Sequence, residues 1–265
     1  VTPNPGALSG AWNFRDVAEE TGIRPGRFFR SSELSALDDA GRTALLGFGI
    51  TDVADLRSAR EVERHGPGLV PDGVGVHLLH FHELSAVDGE APHEITFQKM
   101  MTEKPDDEDV AAAAKRFMSE QYLSYPTMGG AQRAVQQVIT LLADDKPMLA
   151  HCFAGKDRTG FTVATVLDAA GVPRDAIVTD FLRSNEAVAQ LREQILQSVR
   201  EHTETAEEIT FAEARLTDEI LGVREEYLDA AQRSIDENYG GLRGYLKVVG
   251  VTDKDVAKLQ AALLG

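Results

Sequence analysis

Pro147-Met148-Leu149-Ala150-His151-Cys152-Phe153-Ala154-Gly155-Lys156-Asp157-Arg158-Thr159-Gly160-Phe161 is the stretch on which the reading of this chain turns. Pro147 to Ala150 is a short apolar run suited to a buried parallel strand, and Phe161 to Ala170, closed by Gly171, is apolar and compatible with a helix. The residues between them therefore form a strand-to-helix turn. Amide groups of such a turn and of the first helical residues have no intrahelical partner, and the helix dipole adds about half a positive charge. The turn is shaped to cradle a phosphate or a similar anion.

Cys152, the chain's only cysteine, stands at the mouth of this cradle with five residues between it and Arg158. The loop amides, Arg158, Lys156 and His151 all favour thiolate over thiol, and the thiolate is the form that attacks phosphorus. Phe153, Ala154, Gly155, Lys156 and Asp157 complete the phosphate-binding loop. Arg158 suits the phosphoryl oxygens because its planar fork bonds two of them at once and keeps its charge. Thr159 is expected to donate to the sulfur as it leaves, and Gly155 and Gly160 to permit close backbone approach. A lone buried cysteine is ordinarily just a small apolar residue. The spacing, the central glycine and the Thr159-Gly160 that follow the arginine set this one apart.

With these residues the chain resembles the cysteine-dependent protein tyrosine phosphatases, and more closely the mycobacterial secreted tyrosine phosphatase B group. The likeness is carried by Gly10-Ala11-Trp12-Asn13-Phe14-Arg15-Asp16, Phe29-Arg30-Ser31-Ser32-Glu33-Leu34, Asp52-Val53-Ala54-Asp55-Leu56-Arg57-Ser58, the loop His151 to Phe161, and Leu221-Gly222-Val223-Arg224. These span nearly the whole chain in order. The resemblance implies a hydrolase of phosphotyrosine, with breadth toward phosphoserine, phosphothreonine and phosphoinositides. It also implies Cys152 as nucleophile, Arg158 as phosphate ligand, and Lys156 and Asp157 as part of a distinctive Gly-Lys-Asp-Arg signature. In similar lipid phosphatases a lysine after the loop glycine meets the extra phosphates of an inositol ring. Phe153 stands where a second lysine would strengthen that lipid reading.

Protonation of the leaving oxygen by a carboxylic acid accelerates hydrolysis by about 10²–10⁴-fold. Three residues compete for this part: Asp157 within the loop, Glu83 after the strand-like run Val74 to Leu79, and Asp88 on a glycine-containing loop. The related family usually shows aspartate where Glu83 stands.

Asp55 and Arg57 close the apolar run from Gly49 to Ala54. Either they face the crevice beyond the strand ends, where ligands bind in an open parallel sheet, or they form a buried ion pair that fixes the loop. Asn13, Arg15, Asp16 and Arg30 are expected to hold the amino-terminal segment against the site. His77, His80 and His82 cluster, but on a strand 77 points away from the other two, so a zinc site is not expected; neither is any other metal or cofactor.

The formal charge of −16, from 27 basic against 43 acidic residues, argues against a nucleic-acid partner. An anionic substrate then needs a local positive pit, expected from Lys156, Arg158, Arg57 and the loop amides. With 265 residues, 43% of them hydrophobic, the chain can bury a sizeable core as one phosphatase domain over 1–265. Nothing approaches the roughly 18 apolar residues of a membrane span. Val1-Thr2-Pro3-Asn4-Pro5 lacks the features of a secretory signal, so the expectation is a cytoplasmic protein, or one exported by another route as the resemblance implies.

Strand-like runs at Arg27 to Arg30, Ile50 to Leu56, Val74 to Leu79 and Pro147 to His151 alternate with helical patterns at Asp38 to Gly47, Gly130 to Leu142 and Thr159 to Ala170. The expected fold is α/β, a mainly parallel sheet flanked by helices, followed by a mainly helical region over 171–265. There Pro173 can open one helix, Asn185 can cap another, and Thr252 or Asp253 can cap the last. Val223, Tyr227, Ala231, Ile235 and Tyr239 form one i+4 ridge, read either as core packing or as part of a helical lid over 206–240. The segment Glu103 to Asp109 reads as a surface loop.

The reading is a metal-independent phosphatase acting through a phosphocysteine on phosphorylated proteins or peptides, with phosphoinositides as a further class. Two alternatives share the same loop: a phosphate-recognition module without turnover, and sulfur transfer. Arsenate reduction by a disulfide cascade would need more cysteines.

Overall fold

The computed structural model describes residues 8–82, 109–202 and 205–265. In chain order it contains β1 (Arg15–Asp16), α1 (Ala18–Thr21), β2 (Phe28–Ser31), α2 (Asp39–Gly47), β3 (Asp52–Asp55), α3 (Ala59–His65) and β4 (Gly75–Leu78). Then follow α4 (Val110–Ser124), α5 (Gly129–Ala143), β5 (Met148–His151), α6 (Asp157–Ala170), α7 (Arg174–Leu182), α8 (Val188–His202), α9 (Ala206–Arg215), α10 (Asp218–Leu221), α11 (Glu225–Tyr239), α12 (Leu242–Val248) and α13 (Asp253–Leu264). Each expected strand falls within two residues of an observed one. The two-residue β1 carried no apolar run that could announce it.

The strands form one sheet in the order β1-β2-β5-β3-β4, with β1 antiparallel and the rest parallel. All four residues of β5 are buried, as a central strand covered on both faces requires. Successive side chains alternate between two cores: Met148 and Ala150 join Phe28 and Ala54 on one face, while Leu149 joins Phe29 and Val53 on the other. Ser31, His151 and Asp55 lie level across β2, β5 and β3. The loop that begins at Cys152 thus leaves the carboxyl edge of the sheet, where open parallel sheets bind ligands.

Helix α5 packs the apolar ridge read from its sequence: Ala131, Ala134, Val135, Val138, Ile139 and Leu142 are all buried. Beyond Gly171, which ends α6 in the left-handed conformation, every described element is helical or 3₁₀. Pro173 precedes α7, and Thr252 caps α13 in a reciprocal box with Asp255. Asn185 does not cap a helix. It lies inside a 3₁₀ turn, and its amide holds Val223 instead, accepting from Val223 N at 2.7 Å and donating to Val223 O at 3.0 Å. On α11 the ridge residues Tyr227, Ala231 and Ile235 are buried in the main core.

Candidate active site

The loop between β5 and α6 is held from behind by segments remote in sequence. Asn13, itself left-handed at φ 53°, donates its amide to Ala154 O at 3.0 Å and Gly155 O at 3.2 Å. Arg30, fully buried, donates to Gly155 O at 2.8 Å and Lys156 O at 3.4 Å. Glu33 N donates to Phe153 O at 2.9 Å. Four successive loop carbonyls are therefore engaged by other segments, which leaves the loop amides and the uncapped first turn of α6 as the donors of the cradle. Gly155 has φ +67°, and a Cβ there would meet Ser31 O at 2.1 Å; a Cβ on Gly160 would press on the Phe181 ring at 2.6 Å. Both glycines are demanded by space, as the sequence suggested.

Asp180 of α7 organises this support. It takes Arg15 Nε at 2.7 Å and Arg30 Nη1 at 2.6 Å, while Arg15 also donates to Asn13 Oδ1 at 2.7 Å. Burial alone would raise the Asp180 carboxyl, but Arg30 and Arg15 outweigh it and hold it below the usual range. Burial brings Arg15 down to about 10, with Arg30 adding to the effect against Asp180. Arg15, Arg30 and Asn13 thus do the holding expected of them. Asp16 does not reach the loop; it accepts from Ala18 N at 3.0 Å and Gly26 N at 2.6 Å and shapes its own turn.

Cys152 is buried, at 2% exposure, at the base of the cradle. Arg158 forms a two-point pair with Glu61 of α3, at 2.5 and 2.7 Å. Burial opposes its charge, yet Glu61 and then Cys152 favour it strongly enough to raise the guanidinium well above its ordinary value. Glu61 also accepts from Ser58 N at 2.8 Å, so the capping box of α3 aims the carboxylate that aims the arginine. Ser58-x-x-Glu61 is visible in the sequence as a helix-start signature, the one signal by which Glu61 could have been found. Asp180 had no such signal.

Several expectations change on contact with the geometry. Arg57 does not line a positive pit: it is fully buried, spans Asp55 at 2.7 Å and Glu33 at 2.9 Å, and donates to Gly66 O at 3.2 Å. Asp55 and Arg57 are the buried pair that fixes the strand end. Burial lowers the His151 pKa and so disfavours a cation there, against the pull of Asp55, whose Oδ2 lies 3.8 Å from Nε2; its Nδ1 lies 3.2 Å from Cys152 O. Lys156 turns away from the cradle, with Nζ 3.0 Å from Ile220 O, 3.3 Å from Gly222 O and 2.8 Å from Asp157 Oδ2. Of the three ammonium protons, two go to those carbonyls, and Asp157 is met as an ion pair. Thr159 Oγ1 is buried without a hydrogen-bond partner among the described residues, so its expected bond to sulfur is not made.

Asp157, in the first turn of α6, accepts from Tyr122 Oη at 3.1 Å through Oδ1 and pairs with Lys156 through Oδ2. Burial, and then Asp157 itself, keep Tyr122 well above the ordinary tyrosine value. Glu83 and Asp88 lie outside the described residues, as does most of the Glu103 to Asp109 segment. The histidines go separate ways: His77 Nε2 meets Asp52 Oδ1 at 2.7 Å, His80 Nδ1 meets Arg57 O at 2.8 Å, and His82 is buried. Among the described residues no group of three metal-ligating side chains converges, and no helix is long and apolar enough to cross a membrane.

A lone cysteine at the carboxyl edge of a parallel sheet, beneath a ring of amides and a carboxylate-aimed arginine, defines a cysteine-dependent phosphatase loop on an α/β scaffold. The chain belongs to the tyrosine phosphatase family, whose model matches residues 7–265, and is a protein-tyrosine phosphatase. It is 53% identical over 271 residues to triple specificity protein phosphatase PtpB of Mycobacterium tuberculosis, covering 97% of this chain and 98% of that protein. A tyrosine-protein phosphatase of Nostoc commune is 30% identical over 246 residues, covering 92% of this chain and 76% of that protein.

Proposed function

We propose that the Cys152 thiolate attacks the phosphorus of a phosphotyrosyl side chain, forming an S–P bond as the P–O ester bond breaks. The leaving phenolate oxygen takes a proton from Asp157. Arg158 and the amides from Phe153 to Arg158 hold the three non-bridging oxygens. Water then adds to phosphorus and gives its proton to Asp157, the S–P bond breaks, and inorganic phosphate departs. Thr159 Oγ1, a buried donor without a partner among the described residues, is the group available to the sulfur as it regains its charge, since an unmade buried hydrogen bond is costly. Asp157 accepts one hydrogen bond, from Tyr122, and pairs its charge with Lys156, which leaves lone-pair positions of its carboxylate for the transferred proton. The observation that carries the mechanism is the outward capture of the loop carbonyls by Asn13, Arg30 and Glu33.

Phosphoserine and phosphothreonine fall within the same proposal, supported by the triple specificity in the name of the Mycobacterium tuberculosis relative. Phosphoinositides are the third class. Lys156 does not favour them in this arrangement, because its ammonium is held by the Ile220 and Gly222 carbonyls and its charge is paired with Asp157. Initial rates on phosphotyrosyl peptide, phosphothreonyl peptide and a soluble phosphoinositide, with Cys152→Ser as control, test the proposal. Phosphotyrosine is expected to be hydrolysed fastest and the serine variant to be inactive on all three; turnover that survives the substitution would refute a sulfur nucleophile.

A further inference from the structure

Tyr122 belongs to none of the motifs read from the sequence, yet its hydroxyl reaches the catalytic loop. It sits on α4, fully buried, 30 residues before Cys152. Three rings surround it: Tyr125 with centroids 4.9 Å apart, Tyr227 at 5.6 Å, and Phe181 edge-on at 6.0 Å. Tyr227 is fixed in turn, donating to Glu219 O at 2.8 Å. A phenol packed in this way has little freedom to swing, and its proton points at Asp157 Oδ1, 3.1 Å away. The other carboxylate oxygen is held by Lys156, which is tied to the carbonyls of Ile220 and Gly222. Asp157 is therefore held at both oxygens, one arm from α4 and the other through Lys156 and the carboxyl end of α10.

We propose that Tyr122 is a positioning residue for the reaction: its hydroxyl fixes the rotamer of Asp157 so that the carboxyl meets the leaving oxygen. The inference rests on Asp157 being the proton donor. Because burial keeps the phenol protonated, it remains a donor across the working pH range. Tyr122 does not touch the substrate, so removing its hydroxyl should act on kcat rather than on KM. The effect should also depend on the leaving group, since a basic alkoxide needs a proton that p-nitrophenolate does not.

The test compares wild type, Tyr122→Phe, Asp157→Asn and the double variant on a phosphothreonyl peptide and on p-nitrophenyl phosphate, with thermal unfolding measured alongside. Tyr122→Phe is expected to lower kcat on the peptide by about ten- to a hundredfold, the worth of one hydrogen bond to a charged group. It should change p-nitrophenyl phosphate turnover little, and it should add nothing to Asp157→Asn, as residues acting through one another require. An equal loss on both substrates, or a further loss in the double variant, overturns the positioning role while the assignment of Asp157 stands. If Asp157→Asn itself shows no leaving-group dependence, both fall. If Tyr122→Phe unfolds early, the same cycle with the smaller, donor-free Tyr122→Leu, run below the unfolding midpoint of each variant, decides by the same criterion: a further loss in its double variant overturns the role, and none supports it.

Discussion

At the back of the catalytic loop four carbonyls have partners in Asn13, Arg30 and the Glu33 amide, and Arg30, together with the Arg15 that holds Asn13, is neutralised by one buried carboxylate, Asp180. At the mouth, Arg158 answers among the described residues to one carboxylate, Glu61, and its charge is favoured by the cysteine as well. Both regions bury arginine against carboxylate, yet they serve different ends. The back is a closed network in which charge fixes backbone. The mouth pairs its cation with Glu61 among the described residues, and in the proposed mechanism a dianionic phosphoryl group completes it. The formal charge of −16 then poses less difficulty than it first suggests, because in the proposed mechanism the anion is met chiefly by backbone dipoles and one aimed guanidinium.

The comparison is tested hardest at Asp180. Replacing it with Asn leaves two buried guanidinium groups without a counter-charge, and breaking a buried pair in this way is expected to cost roughly 3–5 kcal/mol. Asp180 is held below its unfolded value, so its contribution is fully present above the unfolded carboxyl pKa of about 3.9 and is lost as pH falls through the lower folded value. Urea unfolding of wild type and Asp180→Asn at pH 7 and toward pH 3 should therefore show a gap that closes in acid. A gap that widened in acid would mean that Asp180 is not the stabilising carboxylate at the back of the loop.

Arg158→Lys probes the mouth. A lysine keeps a charge for Glu61 but cannot bond two phosphoryl oxygens while holding both carboxylate oxygens. Steady-state kinetics on p-nitrophenyl phosphate should show kcat lower by about 10²–10³-fold, with the unfolding midpoint moving less than in Asp180→Asn. A variant that loses stability and keeps its rate would place Arg158 with the structural arginines and erase the distinction.

Much of this was legible from local pattern. The apolar run before His151, the helix-compatible run after Gly160 and the alternation of strands with helices gave the α/β sheet, and the spacing of Cys152, Gly155 and Arg158 located the loop. The residues that aim those groups were not legible in the same way. Asp180 lies 28 residues beyond Cys152, on a helix where one buried aspartate looks like any polar residue, and Tyr122 reads as one more aromatic on an apolar face. Lys156 and Arg57 were legible as cations, but the direction in which each side chain points is set by carbonyls and carboxylates brought in by the fold. Chemistry confined to one loop shows in sequence; second partners drawn from elsewhere emerge only when the sheet assembles.

The central claim is a covalent bond between Cys152 sulfur and phosphorus. Rapid acid quench of the protein during turnover of a phosphotyrosyl peptide, followed by peptide mass spectrometry, should find one added phosphoryl group on the peptide that contains Cys152, and none when Cys152 is serine. A protein that turns over substrate with that peptide unmodified at every quench time, or with the phosphoryl group on another residue, would contradict the account.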